Sequence, residues 1–198
     1  MALQFIYHVR YSDLTAFESE VKRYSKALGI NPDWLMAVME IESGCNPHAV
    51  NSVSGATGLI QFMPATAQSL GTTTAALKSL TGEQQLYYVY KYLKPYAGKI
   101  KSLTDLYLAV FFPAAIGKAD NYVLQTSKLS ASKIAAQNPA YDLNKDKMIT
   151  KAEVTAAITS ILKKKGYTAS LTAPGSKGII LLLGAAVVGY LIYRRLKK

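Results

Sequence analysis

The apolar residues of this chain recur at helical spacing, and no stretch shows the alternation that a half-buried strand requires. Behind Asp13 the apolar positions advance by three or four residues, and Gly29 closes the segment. A second helix is predicted to begin at Asn31, with Pro32 in its first turn, and to end at about Ser43. Further helices are predicted over residues 64–71, 81–94, 102–112, 114–126, 131–137 and 151–165. The pattern therefore predicts an all-α fold.

The formal net charge of +11 is concentrated in the C-terminal part of the chain. Residues 1–153 contain 15 basic and 12 acidic residues, whereas residues 154–198 contain eight basic residues and no acidic one. A nucleic-acid-binding domain would carry its basic residues on one folded surface, but here they flank an apolar run. We therefore expect no nucleic-acid partner, because this arrangement suits anionic lipid headgroups instead.

Residues 178–193 form a run of 16 uncharged, mostly apolar residues between Lys177 and Arg194. At about 1.5 Å per residue this run would span roughly 24 Å, slightly less than the ~30 Å hydrocarbon core of a bilayer. Basic side chains that reach the headgroups would make up the difference. We predict a C-terminal transmembrane helix here, after a linker at residues 166–177 and before a basic tail at residues 194–198, with a lipid bilayer as partner. A buried core helix is the alternative that this length allows.

Glu42 lies in the last turn of the second predicted helix, which is otherwise mostly apolar. The negative end of the helix dipole and partial burial both disfavour a charged carboxylate, so we expect a raised pKa for Glu42. A raised pKa suits a general acid that works near neutral pH. Glu40 is about 200° away around the helix and is expected to face away from Glu42. The pattern indicates one poised carboxylate, and an ordinary surface glutamate at a frayed helix end is the alternative.

Three short blocks begin at Glu42. They read Glu-Ser-Gly-x-Asn-Pro over residues 42–47, Ser-x-x-Gly-Ala-x-Gly-Leu-Ile-Gln over residues 52–61, and Met-Pro-x-Thr-Ala over residues 63–67. Together they resemble the catalytic domain of the soluble-lytic-transglycosylase family, which shares the lysozyme-like fold of goose-type lysozyme. The resemblance implies that residues 1–138 form a lysozyme-like, α-helical transglycosylase domain.

The same resemblance implies roles for individual residues. Glu42 would be the single catalytic acid/base, and catalysis would need no cofactor. Ser52 would hydrogen-bond the N-acetyl group of the sugar, and Gln61 would line the cleft. The alternative for the loop residues is that they only shape turns or fill the core. The implied substrate-binding residues are Ser52, Gly58, Gln61, Met63 and Phe111.

A further family block, Ala-Tyr-Asn-x-Gly, is not kept in this chain. An ungapped comparison places Phe111 at the tyrosine and Phe112 at the asparagine, and Pro113 follows. The family's tyrosine hydroxyl lies near the catalytic glutamate. The loss of both polar groups therefore indicates either a weakened site or a drier pocket that sustains the raised pKa of Glu42.

The implied function is that of a peptidoglycan lytic transglycosylase, which cleaves the bond between N-acetylmuramic acid and N-acetylglucosamine. Ordinary glycoside hydrolysis uses two carboxylates, so a lone Glu42 requires the substrate to supply the nucleophile. The resemblance implies that the 6-hydroxyl of the muramic acid attacks C1 and closes a 1,6-anhydro ring. Two alternatives stay open: a lysozyme-type peptidoglycan hydrolase, and a non-catalytic glycan-binding structural component.

Residues 142–153 match the twelve-residue loop of an EF-hand, which binds calcium through oxygen atoms. Lys147 departs from this pattern, because a glycine normally makes the left-handed turn there, and we expect a cost on the order of 1 kcal/mol. The alternative is a surface turn that feeds a helix, since residues 150–153 also form a capping box. We predict a weak structural calcium site in a separate segment, residues 139–165. The expected ligands are Asp142, Asn144, Asp146, Met148 through its carbonyl oxygen, Thr150 and Glu153.

The first ten residues lack the basic-then-apolar layout of a secretory signal. Peptidoglycan lies outside the cytoplasmic membrane, so the chain is expected to reach it by another route. We predict a membrane protein with a single-pass C-terminal anchor in the internal membrane of a bacteriophage virion, where it opens the cell wall during infection. A bacterial cell envelope is the alternative location.

Overall fold

The structure, a computed structural model, describes residues 2–172, which form two compact units, residues 2–98 and residues 99–172. The α-helices of the first unit are α1 (Leu14–Leu28), α2 (Pro32–Ser43), α3 (Pro64–Ser69), α4 (Thr74–Lys78) and α5 (Gly82–Leu93). Those of the second unit are α6 (Leu103–Phe111), α7 (Ala131–Gln137) and α8 (Lys151–Lys164). Short 3-10 helices lie at Ile6–His8, Lys94–Tyr96 and Pro113–Ala115, and extended pairing within the described residues is confined to isolated bridges.

The fold is mostly helical and is consistent with a lysozyme-like all-α domain, but the predicted fold class also included a transmembrane helix, and that part is corrected. Within residues 2–172, no helix has both the length and the apolar character needed to span a membrane. The 15 residues of α1, for example, would span only about 22 Å, and their exposed face is charged. The predicted anchor at residues 178–193 lies outside the described residues. The predicted location, a membrane with a single-pass C-terminal anchor, is corrected as well, because no helix within residues 2–172 could span a membrane.

The ends of α1 and α2 follow the predicted capping residues. The Asp13 side chain accepts a hydrogen bond from the backbone N–H of Ala16, and Gly29 ends α1 with a left-handed φ of 68°. Asn31 caps α2 by accepting from the N–H of Asp33, and Gly44 ends it with φ 61°. Local sequence therefore determines both helices, because capping residues satisfy N–H groups that have no partner within the helix.

Helix α2 is the centre of the first unit. Its residues from Trp34 to Glu40 are all buried, so the helix is enclosed on nearly every face. Helix α1 packs against both α2 and α5, and contributes Phe17 and Val21 to this core. Such complete enclosure explains why α2 lacks the polar face of a surface helix.

One predicted helix, over residues 114–126, is wrong. The chain there has only the 3-10 turn Pro113–Ala115 and then a left-handed Gly117 with φ 69°. The segment continues as irregular structure, in which Val123 pairs with Thr150 in an isolated bridge. A proline at the start and a left-handed glycine soon after it stop helix propagation, and these two residues outweigh the helical spacing of the apolar residues.

A buried ion pair joins α6 to the start of α8 in the second unit. Lys151 Nζ lies 2.7 Å from Asp105 Oδ1, and both side chains are less than one-tenth exposed. Asp105 also accepts hydrogen bonds from the backbone N–H groups of Gly117 and Lys101. Burial alone would raise the pKa of Asp105, but the hydrogen bond and charge of Lys151 and these backbone donors lower it below its ordinary value of 3.8.

Replacing Lys151 with methionine should lower the free energy of unfolding by about 3 kcal/mol, because the carboxylate of Asp105 would stay buried without its countercharge. Lys22→Met is the matched control. Lys22 pairs with Glu18 on the exposed side of α1, where such a pair contributes less than about 1 kcal/mol. Urea denaturation measures both losses of unfolding free energy. Equal losses would contradict the conclusion that Lys151 compensates a buried charge.

The pairing of Asp105 with Lys151 should also make the free energy of unfolding depend on pH. The pKa of Asp105 is lower in the folded state than its ordinary value of 3.8, so the stabilisation is fully present above that pH and is lost as the pH falls through the lowered value. The difference in unfolding free energy between the parent and Lys151→Met should therefore narrow as the pH is lowered, first as the buried, unpaired Asp105 of the variant is protonated and then as that of the parent is. A difference that is constant down to strongly acidic pH would rule out this linkage.

Candidate active site

Glu42 is the next-to-last residue of α2, and it is half-buried. The left-handed Gly44 ends the helix, and its N–H donates to the carbonyl oxygen of Glu40 at 3.1 Å. The chain therefore turns directly after Ser43, which leaves Glu42 at the boundary between the helix and the loop that follows. A carboxylate in this place meets the negative end of the helix dipole.

Glu40, the other carboxylate of this helix, has a different environment. It is buried, and its Oε2 lies 3.1 Å from Nδ1 of His8 in the N-terminal segment. The side chain of His8 is half exposed, whereas that of Glu40 is 3% exposed. Glu40 thus helps to hold the N-terminal segment against α2, and Glu42 is the carboxylate at the loop.

Residues 44–63 connect α2 to α3 and contain most of the predicted substrate-binding residues. Gly58 and Gln61 are brought together there, because Gln61 Nε2 donates to the carbonyl oxygens of Gly58 at 3.1 Å and Ala49 at 3.3 Å. Gln61 itself has a left-handed φ of 54°, which is uncommon for a residue with a side chain. Its amide nitrogen therefore stabilises the turn over residues 58–61.

The turn is connected to the end of α2 through Ser43. The Oγ of Ser43 donates to the carbonyl oxygen of Leu59 at 2.9 Å and lies 3.1 Å from that of Met39. Ser43 is adjacent to Glu42 in the chain, and Leu59 lies inside the turn. The structure thus brings the first and second sequence blocks together by a hydrogen bond between them.

Three predicted substrate-binding residues lie outside the turn over residues 58–61. Ser52 is exposed at the tip of the loop, next to Asn51, whose Oδ1 accepts from the N–H groups of Val53 and Ser54. Met63 is half-buried and is the N-cap residue of α3. Phe111 ends α6 and belongs to the second unit.

Two tyrosines surround Phe111 within the second unit, and the sequence analysis missed both. Its ring centroid lies 5.7 Å from that of Tyr107 and 4.9 Å from that of Tyr141. The hydroxyl groups of Tyr107 and Tyr141 are hydrogen-bonded to each other. Tyr107 precedes Phe111 by one helical turn and could have been noticed, but nothing local relates Tyr141 to α6.

A further missed residue is Gln85, which is fully buried on α5. Its Nε2 donates to the carbonyl oxygens of Pro47 and Leu77, both at 2.7 Å, and its Oε1 accepts from the N–H of Leu59 at 3.0 Å. The sequence could have indicated Gln85, because this polar residue lies on the apolar face of the predicted helix, next to Leu86.

The loop before α8 has one backbone feature of the calcium loop predicted for residues 142–153. Lys147 takes the left-handed φ of 67° that the pattern requires at this position, so the missing glycine does not prevent the turn. Its N–H donates to Asp142 Oδ2 at 3.1 Å, across the loop. Glu153, the last predicted ligand, accepts from the N–H groups of Leu143 and Thr150.

The three carboxylates of this loop do not meet in a group that could hold a metal ion. Within the described residues, no group of three or more histidine, cysteine or carboxylate side chains is arranged to hold a metal ion. Asn144 Oδ1 and Asp146 Oδ1 each accept a backbone N–H of the loop. Asp142 Oδ1, in contrast, is buried and accepts no hydrogen bond from residues 2–172. A cation would satisfy this atom, because unpaired buried carboxylate oxygens are costly.

Residues 19–111 match the model of a family described as Transglycosylase SLT domain. This range reaches from α1 to the end of α6 and includes Glu42, the loop and Gln85. The resemblance to lytic transglycosylases that was drawn from the sequence blocks is thereby confirmed for this part of the chain.

Individual relatives agree with this match. The chain is similar to Membrane-bound lytic murein transglycosylase C of Actinobacillus pleuropneumoniae serotype 5b (strain L20) and to the protein of the same name from Glaesserella parasuis serovar 5 (strain SH0165). Each is 39% identical over 70 residues, which cover 35% of this chain and 18% of the relative. The chain thus spans less than a fifth of the length of these curated relatives.

Gly58→Ala tests the packing of the turn. Gly58 has a φ of 85°, and an added Cβ would come within 2.4 Å of Gln85 Oε1, which cannot move without losing its bond to Leu59. Gly98→Ala is the matched control, since Gly98 has a similar φ of 79° and nothing within 4 Å of the added carbon. Both variants should lose about 1 kcal/mol to backbone strain, and Gly58→Ala at least about 1 kcal/mol more. Thermal unfolding checks this, and equal losses would contradict the close approach.

Proposed function

We propose that the chain is a peptidoglycan lytic transglycosylase in which Glu42 is the only catalytic acid/base. One observation carries the proposal: Glu42 stands half-buried at the end of α2, and its neighbour Ser43 is hydrogen-bonded to the turn that contains Gly58 and Gln61. The family match over residues 19–111 and the names of the relatives support the same class of enzyme and peptidoglycan as its substrate.

The reaction needs one carboxyl group that first donates a proton and then accepts one. Protonated Glu42 donates to the glycosidic oxygen, and the bond between this oxygen and C1 of the muramic acid breaks. The resulting carboxylate then accepts the proton of the sugar's own 6-hydroxyl while that oxygen bonds to C1. Glu42 ends protonated again, the product carries a 1,6-anhydro ring, and no water is consumed.

The loop supplies the groups that contact the sugar in this proposal. Since Nε2 of Gln61 is engaged by the turn, its Oε1 is the atom that accepts from a sugar hydroxyl or amide. Ser52 at the exposed tip of the loop reaches a more distant part of the substrate, and its hydroxyl can bind the N-acetyl group. Met63 provides an apolar surface beside the turn.

A more specific role, opening of the cell wall during phage infection, was expected from the N-terminus and from the segment after residue 172. The family match and the relatives support the class of enzyme and its substrate, and this role stays a prediction.

Glu42→Gln should lower the rate of peptidoglycan digestion about 100-fold or more, because an amide cannot donate and recover the proton. Mass spectrometry of digested, purified peptidoglycan should find 1,6-anhydro-muramic ends with the parent chain and almost none with the variant. Glu20→Gln, which alters a carboxylate on the surface of α1, is the control and should keep the parental rate.

The same measurement separates the remaining candidates. Reducing ends in place of anhydro ends, also lost in Glu42→Gln, would identify a lysozyme-type hydrolase. No release of fragments by the parent chain, together with retained glycan binding, would identify a non-catalytic glycan-binding component.

For the loop at residues 142–153 we propose a weak structural calcium site. The buried, unpartnered Asp142 Oδ1 and the left-handed turn at Lys147 support it. Asp146 and Glu153 would have to move toward Asp142 on binding, and we therefore expect a dissociation constant no lower than about 0.1 mM. The ion would stabilise the second unit and take no part in the chemistry.

Calcium should raise the melting temperature of the parent chain at millimolar concentration, and magnesium should do so much less, because Mg²⁺ demands a compact octahedral site. Glu153→Gln should abolish the calcium effect, since it removes a bidentate carboxylate but keeps a residue that can complete the capping box with Thr150. An equal rise in parent and variant, or none in the parent, would reject this site.

A further inference from the structure

We propose that Gln85 is a positioning residue for the candidate active site, and that it acts on Glu42 through Leu59 and Ser43. This inference rests on the proposed function of Glu42. Gln85 is fully buried, whereas the tyrosines that share α5 with it are half-buried or exposed. A polar side chain in such a place must find all its partners inside the protein.

The connection runs through the two backbone polar groups of Leu59, both of which are bound by side chains. Its N–H donates to Gln85 Oε1 at 3.0 Å, and its carbonyl oxygen accepts from Ser43 Oγ at 2.9 Å. Leu59 is 0% exposed, so no water can replace a partner that moves away. A displacement of the Gln85 amide is therefore passed to Leu59 and then to Ser43, the residue that follows Glu42.

A second connection uses the amide nitrogen of Gln85. Its two hydrogens are donated to the carbonyl oxygens of Pro47 and Leu77, each at 2.7 Å. Pro47 is buried and follows Glu42 by five residues. Gln85 thus holds the chain after the catalytic helix and the turn over residues 58–61 at the same time.

Only a glutamine meets these demands at this position. The amide offers one acceptor and two donors in one plane, an ionised glutamate offers acceptors alone, and asparagine is shorter by one methylene group. The absence of a side chain at Gly58 leaves the room, because a Cβ there would lie 2.4 Å from Gln85 Oε1. The position of the amide is therefore set by contacts on several sides.

The expected effect is larger on turnover than on substrate binding. Misplacement of a catalytic group by about 1 Å lowers the rate about 100-fold. Since Gln85 is buried, its loss should lower kcat through Ser43 and Glu42, and it should raise KM by a smaller factor, because Gly58 and Gln61 share the turn that Gln85 holds. A residue that only stabilised the fold would instead lower the amount of folded protein, and the kcat of the molecules that remain folded would equal that of the parent.

The test compares Gln85→Glu and Gln85→Met with the parent, as full chains, on purified peptidoglycan. The initial rate of muropeptide release is measured over a range of substrate concentration and pH, with circular dichroism melting of every variant. Gln68→Glu, on an exposed position of α3, is the control for the added carboxyl group. At neutral pH both Gln85 variants should show kcat about 10- to 100-fold below the parent.

Acidification should separate the two variants. A protonated glutamate regains a carbonyl acceptor for Leu59 and a hydroxyl donor for Pro47, so the ratio of Gln85→Glu to parental kcat should rise as the pH is lowered. Gln85→Met and Gln68→Glu should show no such rise. Adding Ser43→Ala to Gln85→Glu should lower kcat by less than the product of the two single effects, because both act through Leu59.

Two results would overturn the inference. One is parental kcat in folded Gln85 variants at every pH. The other is a loss in Gln85→Glu whose ratio to the parent does not change with pH, and this result decides the matter even if Gln85→Met fails to fold. An inactive parent chain would overturn the proposed function together with this inference, so the activity of the parent tells the two failures apart.

Discussion

The enclosure of α2 is the constraint on which the first unit depends. A helix whose residues from Trp34 to Glu40 are all buried can present a carboxylate to solvent only near one of its ends. Glu42 does so in the last turn, where Gly44 reverses the chain. The same position leaves Glu42 half-buried and close to the negative end of the helix dipole. The packing that stabilises the fold therefore also sets the environment of the proposed acid.

Irregular backbone next to such a core needs partners for its polar groups, since a buried N–H or carbonyl without a partner costs about 1–3 kcal/mol. The chain after α2 obtains them from side chains. Ser43 and Gln85 bind the two polar groups of Leu59, and Gln61 donates to the carbonyl oxygens of Gly58 and Ala49. Side chains that satisfy a loop in this way also hold it in one conformation, which a loop that carries substrate contacts requires.

In the second unit, a buried ion pair holds the irregular backbone in place. Asp105 and Lys151 are both buried, and the carboxylate also binds two backbone N–H groups, so the pair connects α6, the irregular chain after it and the start of α8. Lys151 belongs to the loop that resembles an EF-hand, and Asp105 belongs to the helix that ends at Phe111. Any ion that orders the loop would therefore also stabilise the anchorage of α6.

Local sequence determined the helices that have caps, the left-handed end of α2 at Gly44, and the resemblance of the blocks that begin at Glu42 to lytic transglycosylases. These features depend on residues within one or two turns of each other, which a reader of the sequence can compare directly. Only the tertiary structure decided that Gln85 satisfies Leu59 and Pro47, that Tyr141 lies against Phe111, and that Asp105 faces Lys151. The pairs that are joined by hydrogen bonds are separated by 26 to 46 residues in the sequence, and no periodicity relates their members. Which buried polar groups meet is decided by how the helices pack, and packing depends on the whole core at once.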